Sequence, residues 1–192
     1  MTATGLVGYH GTSEECWESI TSSLSYRISE GDNHWLGSGV YFFLESIYSA
    51  SPISDAANWA KLASWDNKTK SNTYQRYVVI ENEFNDLIYI WDLSEQEGAE
   101  LFRHVKEKIC EKIQQSQKLI KGSPSDGIVI NFALNNITKL PHNAVRNNLY
   151  IKLTNEERQN RIRFSQPNCT VLCVRDISLI NIKGKKEEGE LK

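Results

Sequence analysis

Several features are scarce in this chain, and each scarcity removes a class of protein. There is a single methionine, and only four prolines and four cysteines occur in 192 residues. The cysteines, Cys16, Cys110, Cys169 and Cys173, form no Cys-x-x-Cys pair. Neither a zinc site nor a disulfide framework is therefore indicated, and reduced, mostly buried thiols are expected. No apolar run approaches the ~20 residues of a membrane-spanning helix, and Met1 is not followed by the basic-then-apolar order of a signal peptide. A soluble, cytoplasmic protein without a membrane partner is expected. No Gly-x-Gly-x-x-Gly or phosphate loop opens a helix, and no internal repeat is evident.

Positive charge is scarce in one region. Net charge is only −2, yet residues 1–60 carry seven acidic side chains against Arg27 alone. Residues 139–163 reverse this, with Lys139, Arg146, Lys152, Arg158, Arg161 and Arg163 against Glu156 and Glu157. That run could hold RNA or DNA through phosphates, but no aromatic-rich base-stacking motif is interleaved, so a solvated face is the favoured reading.

What the chain does have is a set of regular segments. With 40% hydrophobic and 24% charged residues, one domain with its own core is expected over 1–182, followed by a charged, disordered tail at 183–192. Leu6 and Val7 lead into Tyr9-His10-Gly11-Thr12, which places His10 at a strand's end. Thr12 stands three residues before Glu15, a capping-box spacing for a helix through Ile20. Ser29 to Trp35 reads as a loop, in which His34 or Trp35 could touch a ligand.

Gly37-Ser38-Gly39 then forms a tight turn into the buried-strand run Val40-Tyr41-Phe42-Phe43. Ile47 to Ser54 reads as a loop, and Asp55 as the cap of a helix on which Ala56, Trp59, Ala60 and Ala63 share a face. Residues 64–73 are polar and turn-like. Tyr77 to Ile80, Leu87 to Trp91, Asp126 to Phe132, Asn147 to Leu153 and Thr170 to Val174 read as strands. Ser94 and Glu97 make a capping box for a helix with apolar Leu101, Phe102, Val105, Ile109, Ile113 and Ile120, stopped by Gly122 and Pro124.

Three phrases carry candidate chemistry: Tyr9-His10-Gly11-Thr12, Gly37 to Phe43, and Ala56-Ala57-Asn58-Trp59-Ala60. In this order they resemble the signature of the ADP-ribosyltransferase superfamily, in the diphtheria-toxin-like branch that includes the poly(ADP-ribose) polymerases. The resemblance implies an α+β fold with a split core of two packed, mainly antiparallel sheets, flanked by helices and forming an NAD cleft. It implies that His10 hydrogen-bonds the adenosine ribose of NAD, and that Gly11, helped by Thr12, pairs with the nicotinamide amide. Tyr41 would lie against the nicotinamide ring and ribose, with Gly39 in the same cofactor-binding set. Trp59 takes the place of a second stacking aromatic, with Tyr48 as a competitor because the gap from Tyr41 is long. A cationic pyridinium between two aromatic faces is a favourable arrangement.

The last strand departs from the pattern. The family's final catalytic strand begins with a glutamate or glutamine, whereas here Val171 falls in that place. A slip of register around Pro167 would bring Asn168 or Gln166 there, and Thr170 is also close. Asn168 joins His10 and Tyr41 as the third catalytic candidate, with Glu156 or Glu157 as substitutes from elsewhere. Cleavage of the nicotinamide–ribose bond develops positive charge on the sugar, which a carboxylate stabilises better than an amide.

The implied activity is therefore transfer of a single ADP-ribose from NAD to RNA, DNA or protein. The implied setting is that of small microbial toxins, with an antitoxin or regulatory protein as a second partner. Two alternatives stand beside it. One is a non-catalytic NAD- or ADP-ribose-binding module. The other is a tRNA 2′-phosphotransferase, which shares the fold but needs basic phosphate-binding residues near the first motif.

Overall fold

The computed structural model of the chain describes residues 5–31, 34–116, 125–137, 140–161 and 164–191. Strand β1 (Val7–Ser13) runs directly into helix α1 (Glu14–Ser23), and strand β2 (Val40–Leu44) is followed by helix α2 (Pro52–Ala63). A small hairpin, β3 (Trp65–Asp66) and β4 (Ser71–Asn72), precedes β5 (Arg76–Phe84) and β6 (Ile90–Asp92). Helices α3 (Gln96–Ser116) and α4 (Asp126–Asn136) come next. They lead to β7 (Ala144–Leu149), the short α5 (Asn155–Gln159), β8 (Cys169–Val174) and β9 (Ile180–Glu190).

The molecule is a mixed α+β structure with a seven-stranded sheet in the order β6-β7-β8-β2-β1-β5-β9. All its pairings are antiparallel except β6 with β7. Central strands β2 and β8 are apolar runs because both faces are covered. Phe43, Val79, Val171 and Cys173 pack on one face with Ala56, Ala60 and Val129. Val40, Phe42, Val78 and Leu172 pack on the other with Ile20 and Tyr26.

Seven strands form this one hydrogen-bonded sheet and β3–β4 a separate two-stranded one, but the ladder of the large sheet is uneven. β1 pairs with β5 along all seven of its residues and β2 with β8 along all five. β1 and β2 meet only at Gly8↔Leu44 and Tyr9↔Phe43. Two well-paired halves are thus joined by a short seam.

Several segments differ from expectation. His10 lies inside β1 and not at its end, because pairing with β5 carries the strand on to Ser13. Accordingly Ser13, not Thr12, caps α1, accepting from Cys16 N at 3.1 Å. Helix α2 begins within the expected loop, with Ser51 as its cap and Pro52 in its first turn, where proline is tolerated. Asp55 lies in that first turn and accepts from Ser49 Oγ at 2.5 Å. Residues 64–73 carry the β3–β4 hairpin, and of Leu87–Trp91 only Ile90 and Trp91 are in a strand. Ser94 turns its hydroxyl to Asp92 Oδ1 at 2.6 Å, and α3 begins at Gln96.

Asp126–Phe132 is helix, not strand. Apolar on every side, it packs against α3 and buries Val129, Ile130 and Ala133, and such a run has no period that separates buried helix from buried strand. β7 starts three residues before the expected Asn147 and ends at Leu149. The expected disordered tail is strand β9 over most of its length. It pairs with β5 along its whole span, and Lys183–Glu83 and Lys186–Glu81 ion pairs, each 2.8 Å, bridge the two strands.

Ile120, Gly122, Pro124, Asp32, Asn33, Lys139 and Arg163 lie outside the described residues, as does the side chain of Ile113. Within the basic run, Arg146 is paired with Asp92 and Arg158 Nε donates to Lys152 O at 3.2 Å. Cys169 and Cys173 are buried, which pushes both thiols up to about 12, whereas Cys16 and Cys110 are exposed. Among the described residues, no helix is long and apolar enough to cross a membrane, and no group of three His, Cys, Asp or Glu could hold a metal ion.

Candidate functional site

The seam between β1 and β2 opens into a cleft. Past Tyr9 and Phe43 the two strands stop exchanging backbone hydrogen bonds. There His10 Nδ1 donates to the carbonyl oxygen of Tyr41 at 2.9 Å, so a side chain continues what the ladder has abandoned. The ring is held edge-on to Tyr26 at 5.2 Å and tilted on Phe42 at 5.7 Å. Burial lowers the pKa of His10, and the bond to Tyr41 only partly opposes it. The imidazole is therefore neutral near pH 7, with the proton on Nδ1 and a lone pair on Nε2.

The cleft has a volume of about 650 Å³; it is lined by His34 and Trp35 of the expected loop and by six residues of the three phrases, His10, Gly11, Thr12, Gly39, Tyr41 and Trp59. They come from β1, from the turn before β2, from β2 and from α2, so three separate phrases meet in one place. Gly11 is needed for a reason the sequence did not suggest. A Cβ there would lie 1.9 Å from the carbonyl oxygen of Ala56, so glycine lets α2 approach the strand. Gly37 has φ +77°, and a Cβ there would lie 2.4 Å from Asn131 Oδ1.

Tyr41 is fixed at both ends of its hydroxyl. The phenol donates to Gly37 O at 2.6 Å and accepts from Leu36 N at 3.0 Å. Burial is the main cause that raises its pKa, so it remains a neutral phenol. The segments 28–31 and 34–39, together called the strap, are pinned further by Asn131 of α4, whose Oδ1 accepts from Ser38 N at 2.8 Å. The strap brings Trp35 edge-on to Trp59 at 5.1 Å and to Tyr41 at 6.3 Å, forming a row of three aromatic rings.

Two candidates fall outside the cleft. Tyr48 sits on the turn after β2 and does not line it, whereas Trp59 does. Asn168 is also elsewhere: its Oδ1 accepts from Ile151 N at 2.9 Å and its Nδ2 donates to Ile151 O at 2.8 Å. Both ends of that carboxamide stitch the chain before β8 to the segment after β7. Gln166 is exposed, and Thr170 donates to Asn148 Oδ1 at 2.7 Å. Glu157 closes the capping box of α5 and accepts from Tyr150 at 2.8 Å. Val171 is the residue of this strand that lines the cleft, and no carboxylate is among the described lining residues.

Sequence reasoning did not place Arg27, Ser29, Cys16 or Tyr74 in this site, yet all four line it. Only Arg27 gave a signal, as the lone cation of the first 60 residues. Its guanidinium has no carboxylate within ion-pair distance among the described residues. The arrangement offers a neutral imidazole, an aromatic row and the Arg27 cation, which suits a ligand with flat rings and negative charge.

No protein-family model matches the chain. An uncharacterized protein of Methanocaldococcus jannaschii is 30% identical to it over 129 residues, covering 67% of this chain and 56% of that protein. The chain thus spans a little over half the length of the relative it matches.

Proposed function

We propose that this protein is an ADP-ribosyltransferase-like enzyme that takes NAD as its substrate and transfers one ADP-ribose to a macromolecular acceptor. The observation that carries the reading is the convergence of His10, Gly11, Thr12, Gly39, Tyr41 and Trp59 on one cleft. A sheet whose ladder parts between β1 and β2 supports the same fold family.

In this reading the lone pair of His10 Nε2 accepts a ribose hydroxyl of NAD, and the Gly11 backbone faces the carboxamide of nicotinamide. Tyr41 and Trp59 provide aromatic faces for the pyridinium, and the guanidinium of Arg27 favours the negative charge of the dinucleotide. The bond from ribose C1′ to the nicotinamide nitrogen breaks with its electron pair leaving on neutral nicotinamide. An acceptor oxygen or nitrogen donates a lone pair to C1′ and loses its proton. A cleft whose described lining offers no carboxylate stabilises the intervening positive charge poorly, which favours single transfer over chain extension.

Nicotinamide release from NAD by the wild-type protein and by His10→Ala tests the proposal, with labelled NAD offered alongside RNA, DNA and protein. Release that needs His10, with label on one polymer class, supports it and names the acceptor. The lack of a carboxylate among the described lining residues favours a second reading, a module that binds NAD or ADP-ribose without chemistry. Tyr41-dependent binding with no release under any condition would establish that reading instead.

A further inference from the structure

We propose that His34 is the proton acceptor of this site, taking the part that a carboxylate cannot take here. The inference rests on the transferase reading above and adds a catalytic residue to it. The reaction frees one proton for every nicotinamide released, because the attacking hydroxyl or water must lose it. Among the described lining residues the side chains with a nitrogen lone pair able to take that proton are two imidazoles, those of His10 and His34.

His10 is poorly placed for that work. Its Nδ1 proton is committed to the Tyr41 carbonyl, its ring is wedged against Tyr26 and Phe42, and burial disfavours its charged form. It suits holding a hydroxyl rather than taking up a proton.

His34 is placed differently. It stands on the strap, its ring edge-on to Tyr41 at 6.1 Å, and it lines the same cleft. Its Nδ1 lies 3.4 Å from Ser29 Oγ. Ser29 is itself fixed by paired backbone bonds with Gly39, N to O at 3.1 Å and O to N at 3.0 Å. With Nδ1–H directed to that hydroxyl, Nε2 keeps the lone pair that a base requires. Among the described residues, the titratable or charged side chains that share the cleft are His10 and Tyr41 on the strands, Cys16 on α1, Arg27 between α1 and the strap and Tyr74 before β5. None is an acid that would compete for the proton near neutrality.

The step balances without a further reagent. The oxygen of water or of an acceptor hydroxyl forms the bond to C1′, the C1′–nitrogen pair leaves with nicotinamide, and the proton passes to His34 Nε2 and then to solvent. General-base assistance of this kind contributes about 100-fold or more.

The test is nicotinamide release by the wild-type protein, His34→Gln and His34→Ala, with NAD affinity and thermal unfolding measured on each. His34→Gln should keep its NAD affinity and melting temperature and lose about 100-fold in rate. Added imidazole should restore part of the rate of His34→Ala. A rate in His34→Gln equal to that of the wild type would overturn this inference alone. A wild-type protein that binds NAD but releases nothing would overturn both it and the transferase reading.

Discussion

The Nδ1–H of His10 donates to the carbonyl of Tyr41 across 2.9 Å, at the level where β1 and β2 have ceased to pair. One side chain thus extends the short backbone seam between the two halves of the sheet, and it links the two strands that carry most of the candidate site. Its position is at once structural and functional, so removing it should affect both.

His10→Ala should destabilise the fold by about 2 kcal/mol or more, since it leaves a carbonyl without its donor and a gap beside Tyr26 and Phe42. NAD binding measured by calorimetry should weaken with it. His10→Gln, which can still donate to Tyr41, should recover part of the stability in urea titrations.

The same histidine sets a pH dependence. Burial holds its pKa below the ordinary imidazole value in the folded state, so below about pH 6.5 the unfolded chain binds more protons. Stability should therefore be full above that pH and fall as pH drops through and below it. Burial lowers the pKa of His142 as well, which adds to the trend. Urea midpoints at pH 7.5 and 5 should differ less in His10→Gln than in the wild type.

Gly11→Ala should be severe. The new Cβ would meet the Ala56 carbonyl at 1.9 Å, a contact between two backbones that no rotamer relieves. The expected cost is about 3 kcal/mol or more, read as a lowered urea midpoint. Since α2 must shift and α2 carries Trp59, NAD binding should fall in the same variant.

Tyr41→Phe keeps the ring and removes both hydroxyl bonds to the strap. A loss of about 1–3 kcal/mol is expected. Hydrogen exchange at the Leu36 amide should quicken, while exchange along β5 stays slow.

Asn168→Ala separates a structural role from a catalytic one. Its carboxamide serves the two backbone groups of Ile151. A stability loss of about 1–3 kcal/mol is expected, with NAD affinity unchanged at temperatures where the variant is folded. Equal stability with abolished nicotinamide release would return Asn168 to the site.

Local pattern was enough for much of the fold. The apolar runs around Tyr41, Val79 and Leu172 announced central strands, and glycines at 37 and 39 announced the turn before one of them. Three short phrases, around His10, Tyr41 and Trp59, marked residues that line one cleft. Pattern failed where the deciding partner lies far away in sequence. Residues 126–132 have the composition of a buried strand, and only packing against α3 makes them helix. Charges at 183–190 suggest disorder until β5 supplies opposite charges and a hydrogen-bonding edge.

The sequence by itself determined which segments are buried and which residue types were available for chemistry, because burial and turn preferences are written in neighbouring side chains. Tertiary structure alone decided which of those residues share a site. It turned Asn168 toward Ile151, left Tyr48 on an outer turn, set Val171 in the cleft wall and brought Arg27 and His34 beside His10. The physical reason is that a polar group takes whatever donor, acceptor or solvent the folded chain brings to it, and those partners lie tens of residues away along the chain.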